Sequence, residues 1–149
     1  MCGIVGLFLK NKSLEPQLGA LMSTMLSTMC ERGPDSAGFA IYGAPEAGKA
    51  KITLQSPNPA SDFAGLTDAI SRAIGAPAHI AVRSTHAVLS VPSAKADEAR
   101  AAVRASHPAV RIMSQGEEIE IYKEVGYPTE VSKRFDLAKM AGTHAIAHT

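Results

Sequence analysis

The sequence predicts an α+β fold, and three observations carry that prediction. Short apolar stretches stand at both ends, IVGLF at residues 4–8 and THAIAHT at 143–149, and read as strands. One segment, Ser13 to Met29, carries its apolar residues at helical spacing. Between these, residues 51–115 run strand, helix, strand, strand, helix, strand, the split βαββαβ order of ferredoxin-like units.

Each element has its own warrant. Ile4, Val5, Leu7 and Phe8 predict a first strand buried on both faces. In the helix, Leu14, Leu18, Leu21, Met22, Met25, Leu26 and Met29 recur at spacings of three and four. Ser13 reads as its N-cap, Pro16 falls in the first turn, and Gly33-Pro34 forbids continuation. Its methionines read as core filler. A short strand, Phe39 to Tyr42, follows, and the shift to GAPEAGKA marks a boundary. The middle stretch then reads KITLQ, DFAGLTDAISRAI, HIAVRS, HAVLSV, AKADEARAAVRAS and VRIMS. Its apolar residues Ile52, Leu54, Ile80, Val82, Val88, Val110 and Ile112 are expected to face one core. Ser93 reads as the N-cap of the second of these helices, and the hairpin between the middle strands contains no glycine. A strand over 118–125, a helix over 129–140 ended by Gly142 as its C′ residue, and the last strand complete the chain.

Composition narrows the function classes. The chain has 149 residues, 46% of them apolar, and a net charge of +1, which gives no basic field for nucleic acid. Its apolar runs are far too short to span a membrane, and its start lacks the basic region of a signal peptide. Two cysteines, Cys2 and Cys30, are too few for a disulfide framework and suit a reducing cytoplasm. Cys30 is expected to be buried. His144 and His148 are four apart, but on a strand and without a third ligand, so no metal site is expected. His79, His86 and His107 read as surface or strand-end residues. GAPEAGKA lacks the Gly-Lys-Ser/Thr ending of a phosphate loop, and no cofactor is expected.

Cys2 stands directly behind Met1. If Met1 is removed, Cys2 carries a thiol and a free α-amine, so nucleophile and base share one residue. An α-amine titrates at about 7.7–8.0 and is partly neutral near physiological pH. Gly3 lets a backbone or substrate approach the sulfur without a Cβ in the way. The competing reading makes Cys2 a small apolar residue at a strand end. A second stretch, ERGPDSAG at 31–38, reads on turn chemistry alone as a Gly-Pro turn. That reading leaves Arg32 and Asp35, set beside two glycines, unexplained.

MCGIVG at the start, RGPDSAG about thirty residues on and GTHAIAHT at the end together resemble the class II glutamine amidotransferases, the N-terminal-nucleophile glutaminases. RGPD also recurs in the glutaminase domain of asparagine synthetases. DSAG is closer to the glucosamine-6-phosphate synthase and glutamate synthase side. The resemblance covers residues 1–43 and roughly 118–149. The stretch between is similar in placement to an insertion of stand-alone, glutamate-synthase-like glutaminase subunits, such as that of N-methylglutamate synthase.

The resemblance implies a partial sandwich of the N-terminal-nucleophile hydrolase type. Residues 1–149 would form the N-terminal part of a type 2 amidotransferase domain, with 45–116 an inserted ferredoxin-like subdomain. From the open face of its sheet, and not from the resemblance, that segment is expected to dock a partner subunit and to contribute no catalytic residue. The resemblance implies hydrolysis of L-glutamine to glutamate and ammonia, with Cys2 as nucleophile and ammonia passed to a synthase subunit. Gly3, Arg32, Gly33, Asp35, His148 and Thr149 would serve positioning or substrate binding, with Arg32 and Gly33 holding the N-terminal cysteine and Asp35 bracing the turn. In the family, AHT is followed by an arginine for the glutamine α-carboxylate and later by an Asn-Gly pair for the oxyanion. These fall beyond Thr149, so the 149 residues alone are expected to be a poor enzyme or the first part of one. Each lost oxyanion donor costs about 10²–10³ in rate. Two alternatives stay open: a non-catalytic assembly module on the same scaffold, and the glutaminase domain of an asparagine synthetase. A homo-oligomer also stays open.

Overall fold

A computed structural model describes residues 2–149. Met1, whose removal the sequence reading expects, lies outside the described residues. The chain is mixed α/β and folds into two compact units, residues 1–44 with 121–149, and residues 45–120.

The first unit is built on a four-stranded sheet of β1 (Ile4–Phe8), β2 (Ser36–Tyr42), β7 (Ile119–Val125) and β8 (His144–His148). Its order is β1-β8-β2-β7, with β8 antiparallel to both β1 and β2. The last strand of the chain thus lies between the first two. Along β8 the small residues Ala145 and Ala147 face inward and are buried, which lets helix α1 (Leu18–Ser27) approach. Leu18, Met22 and Leu26 of α1 are fully buried. Helix α5 (Pro128–Arg134) packs on β2, and Phe39 stacks on Tyr122 at 5.2 Å between ring centroids, with Phe135 5.1 Å from Tyr122.

Several expectations change here. β1 is an edge strand and is not buried on both faces: Ile4 is 78% and Phe8 67% exposed. Only Val5 and Leu7 turn inward, half-buried, because successive side chains alternate across a strand. The helix expected over 13–29 begins as a 3-10 helix, Lys12–Gln17, containing Pro16. Its cap is Asn11, whose Oδ1 accepts from the Ser13 amide at 3.0 Å. The helix expected over 129–140 breaks at Asp136, which takes φ +54, and resumes as a 3-10 turn over Leu137–Lys139. Gly142 is not its C′ residue: a Cβ there would overlap the Tyr42 carbonyl, so glycine is required by contact.

The second unit carries a sheet of β3 (Lys49–Gln55), β4 (His79–Arg83), β5 (His86–Pro92) and β6 (Arg111–Gly116), in the order β4-β5-β3-β6. Every neighbouring pair in it is antiparallel. A four-residue helix α2 (Pro59–Asp62) precedes α3 (Leu66–Ile74), and α4 (Ala96–Ser106) follows β5. Leu66, Ile70, Ile74, Ala99 and Val103 of α3 and α4 share one apolar core with Ile52, Leu54, Ala87, Leu89 and Val91. The helix expected over 62–74 is interrupted at Gly65, which takes φ +70. A 3-10 turn, Ser93–Lys95, stands where Ser93 was expected to cap α4. The glycine-free hairpin turns at Ser84, with φ +55, the positive first turn residue that two-residue hairpin loops require. Val82 is 55% exposed on the edge strand, and Val88 lies outside the core cluster on the opposite face. His86 is fully buried rather than superficial, its Nδ1 3.1 Å from the Thr85 hydroxyl.

Candidate active site

The first sheet fixes the beginning and end of the chain beside each other. The β1–β8 register pairs Ile4 with His148, so the residues just before Ile4 meet the one just after His148. There the backbone closes a reciprocal pair. The Thr149 amide donates to the Gly3 carbonyl at 3.0 Å, and the Gly3 amide donates to Thr149 Oγ1 at 3.2 Å. Gly3 and Thr149 are both buried, whereas Cys2, one residue further out, is exposed. Cys2 is therefore an open thiol anchored by a buried neighbour.

The turn after α1 closes against the same point. A Cβ on Gly33 would lie 2.8 Å from the Thr149 carbonyl carbon and 2.9 Å from its Oγ1. A Cβ on Gly3 would lie 3.0 Å from the Met29 sulfur, so the last residue of the methionine stripe also bears on this site. Close approach to backbone requires glycine at Gly33, whereas at Gly3 the Met29 side chain would have to give by a few tenths of an ångström. Of the expected site residues, Gly3, Gly33 and Thr149 are thus brought into direct contact, with Cys2 beside them.

The remaining three are arranged differently. The Arg32 amide donates to the Met29 carbonyl at 2.9 Å, and its side chain is exposed and ion-paired with none of the described residues. Asp35 is exposed as well, and its carbonyl, not its carboxylate, holds the turn by accepting from the Gly126 amide at 2.9 Å. His148 is half-buried and pairs across β8 with Gly38 of β2, where a Cβ would lie 2.6 Å from its Nε2. Burial, with Lys123 adding positive charge nearby, holds the His148 imidazole below its ordinary pKa.

Sequence reading missed two residues at this end. Met29 reads as core in the helical stripe, and its contact with Gly3 arises only through folding. Tyr127 neighbours Cys30, which raises the phenol pKa through its charge and a hydrogen bond. Cys30 itself is buried, as its place at the helix end predicts. His144 is occupied by packing: it stacks on Tyr42 with centroids 3.9 Å apart, and its Nδ1 lies 2.8 Å from Thr143 Oγ1. Among the described residues no group of three His, Cys, Asp or Glu could hold a metal ion, and no helix is long and apolar enough to cross a membrane.

No protein-family model matches the chain. Two curated relatives align with all of it. The chain is 56% identical over 149 residues to glutamine amidotransferase-like protein GlxB of Rhizobium meliloti (strain 1021), covering 49% of that protein. It is 31% identical over 161 aligned positions to a candidate glutamine amidotransferase of Methanothermobacter thermautotrophicus, covering 51% of that one. The chain therefore spans about half the length of the curated relatives it matches. One of these relatives is named as glutamine amidotransferase-like and the other as a glutamine amidotransferase.

Proposed function

We propose that the chain carries the nucleophile-bearing part of a class II glutamine amidotransferase, on the premise of that similarity. The observation that carries the reading is the closure of Gly3 on Thr149 with Gly33 packed against Thr149, which leaves an exposed Cys2 on a fixed backbone. A nucleophile gains most when its geometry is set before the substrate arrives. Cys2 Sγ attacks the side-chain amide carbon of L-glutamine, and the Cys2 α-amine takes the thiol proton and passes it to departing ammonia. Water then hydrolyses the thioester, releasing glutamate and restoring the thiol. Arg32 and Asp35 present their side chains to substrate or to the rest of the protein, and His148 lines the same strand end. The ammonia goes to a synthase partner, in a reducing, cytoplasmic setting that suits an exposed nucleophilic thiol.

The finer fold belongs to the same proposal. The first sheet exposes Ile4, Phe8 and Ile146 on the face away from α1 and α5, as half of a sandwich does before its second layer is added. Residues 45–116 form the inserted ferredoxin-like subdomain, a reading supported by the strand order β4-β5-β3-β6 with two helices on one face. The rival reading, a non-catalytic assembly module, draws on that same exposed apolar face.

Labelling of the full-length protein with an electrophilic glutamine analogue separates the two. Intact mass should show a chain that begins at Cys2 and carries one label, on Cys2. Cys2→Ala should abolish both label and glutamine hydrolysis, and Cys30→Ala should keep both. Retained Met1 in active material, or a label on Cys30, would overturn the assignment.

A further inference from the structure

The face of the second sheet opposite α3 and α4 is arranged in rows. Strand register aligns Lys51, Ser90 and His79 in one line across β3, β5 and β4. The next line is Thr53, Val88 and Ala81, and the one after it is Gln55, His86 and Arg83. A cleft of about 220 Å³ opens on this face, with polar groups at both ends and the Val88–Ala81 row as its floor. The helix side of the sheet carries the apolar core cluster, whereas this side carries polar side chains, of which Thr53 and His86 are fully buried.

The charges are unevenly matched. Lys51 is paired with Glu120 at 3.0 Å, with side chains only 14% and 15% exposed. Glu46 is paired with Lys49 at 2.6 Å at the cleft mouth. Arg83 at the far end is half-buried, and none of the described carboxylates lies within ion-pair distance of it. A guanidinium presents a planar fork that fits a carboxylate at two points. At the other end, the exposed Glu46 carboxylate keeps acceptor positions beyond the one Lys49 uses, and Ser90 adds a hydroxyl.

We propose that this cleft binds an elongated zwitterion of amino-acid size, with its carboxylate on Arg83 and its ammonium at the Glu46 end. His79 and Arg83 are four residues apart on one strand, which separates their backbones by roughly 13 Å. A volume of about 220 Å³ accommodates a chain of about five carbons between the two charges, its methylenes lying over Val88 and Ala81. The site lies entirely within residues 45–120, uses no residue of the Cys2 site, and stands independently of the function proposed above.

The test uses the full chain as Cys2→Ala, so that no turnover occurs, with amide chemical shifts followed during titration. 5-Aminopentanoate, a five-carbon chain with a carboxylate at one end and an ammonium at the other, should shift the amides of Ala81, Val88 and Ser90. Arg83→Gln should weaken that binding at least about tenfold, the scale of a lost charge-assisted hydrogen bond. Glutarate, which lacks the ammonium, should bind more weakly than 5-aminopentanoate, and putrescine, which lacks the carboxylate, should leave these amides unshifted. Ala81→Leu, which fills the floor without touching a charge, should block 5-aminopentanoate in a still-folded protein. Shifts confined to Gly3, Gly33 and Thr149, or equal affinity in Arg83→Gln, would overturn the cleft as a site. Glutarate binding as tightly as 5-aminopentanoate would overturn the zwitterion. Because Cys2 labelling is read separately, either proposal can fail without the other.

Discussion

A methyl group added at Gly19 in α1 of the first unit would overlap the Leu137 carbonyl and lie 2.6 Å from the Met140 carbonyl. Added at Gly65 or Gly75 in the second unit, it would meet nothing within 4 Å. The first unit uses glycine to let backbones touch, at Gly19, Gly33 and Gly142. The second uses it at bends, where Gly48, Gly65 and Gly75 take positive φ in open space. Around its apolar core glycine supplies chain reversals at these three positions, while at Gly116 a Cβ would lie 2.9 Å from the Ile119 side chain rather than from backbone. In the unit that holds the candidate site, backbone segments are pressed together, and Gly3 is held by Thr149, which in turn lies against Gly33. Glycines that admit no side chain therefore mark where position is controlled most tightly.

The largest effect should come from Gly19→Ala. Its Cβ meets backbone that cannot rotate away, so a loss of about 3 kcal/mol or more is expected, on the scale of severe overpacking. Gly75→Ala, at the left-handed C-cap of α3, should cost only about 1–2 kcal/mol. Urea unfolding of both variants checks the contrast. Equal losses would remove the distinction between contact glycines and turn glycines.

Gly33→Ala sharpens the comparison within the first unit. The added methyl displaces Thr149, and through it Gly3 and Cys2, so labelling of Cys2 by the glutamine analogue should slow by on the order of 10²-fold. The melting temperature should fall much less than in Gly19→Ala. If stability falls and the labelling rate of the folded protein does not, the turn packs against Thr149 without positioning the nucleophile.

The smallest effect concerns pH. His148 is held below the ordinary histidine value of about 6.5, so the unfolded chain takes up a proton at a higher pH than the folded one. This contribution to stability is full above about pH 6.5 and is lost as pH falls towards the lowered folded value. His148→Asn should flatten that part of the stability–pH curve. A steeper decline in the variant would show that the acid response comes from other groups.

The strands, the helical stripe and the order of elements in the middle stretch were legible in the sequence because periodicity reports which side of an element is buried. Cys2, Gly3 and the RGPDSAG turn were legible as unusual residues in unusual places. Their chemistry is local: a thiol one residue behind the initiator, and glycines beside a proline. Only tertiary structure decided that Thr149 closes on Gly3, that Met29 bears on Gly3, and that β1 is an edge strand with Ile4 and Phe8 exposed. It also decided that Asp35 holds its turn through a carbonyl and that Arg83 stands at the end of a polar cleft. Burial and pairing of this kind depend on strand order and register between residues more than a hundred positions apart. The order of residues along a chain carries no direct record of which strands become neighbours.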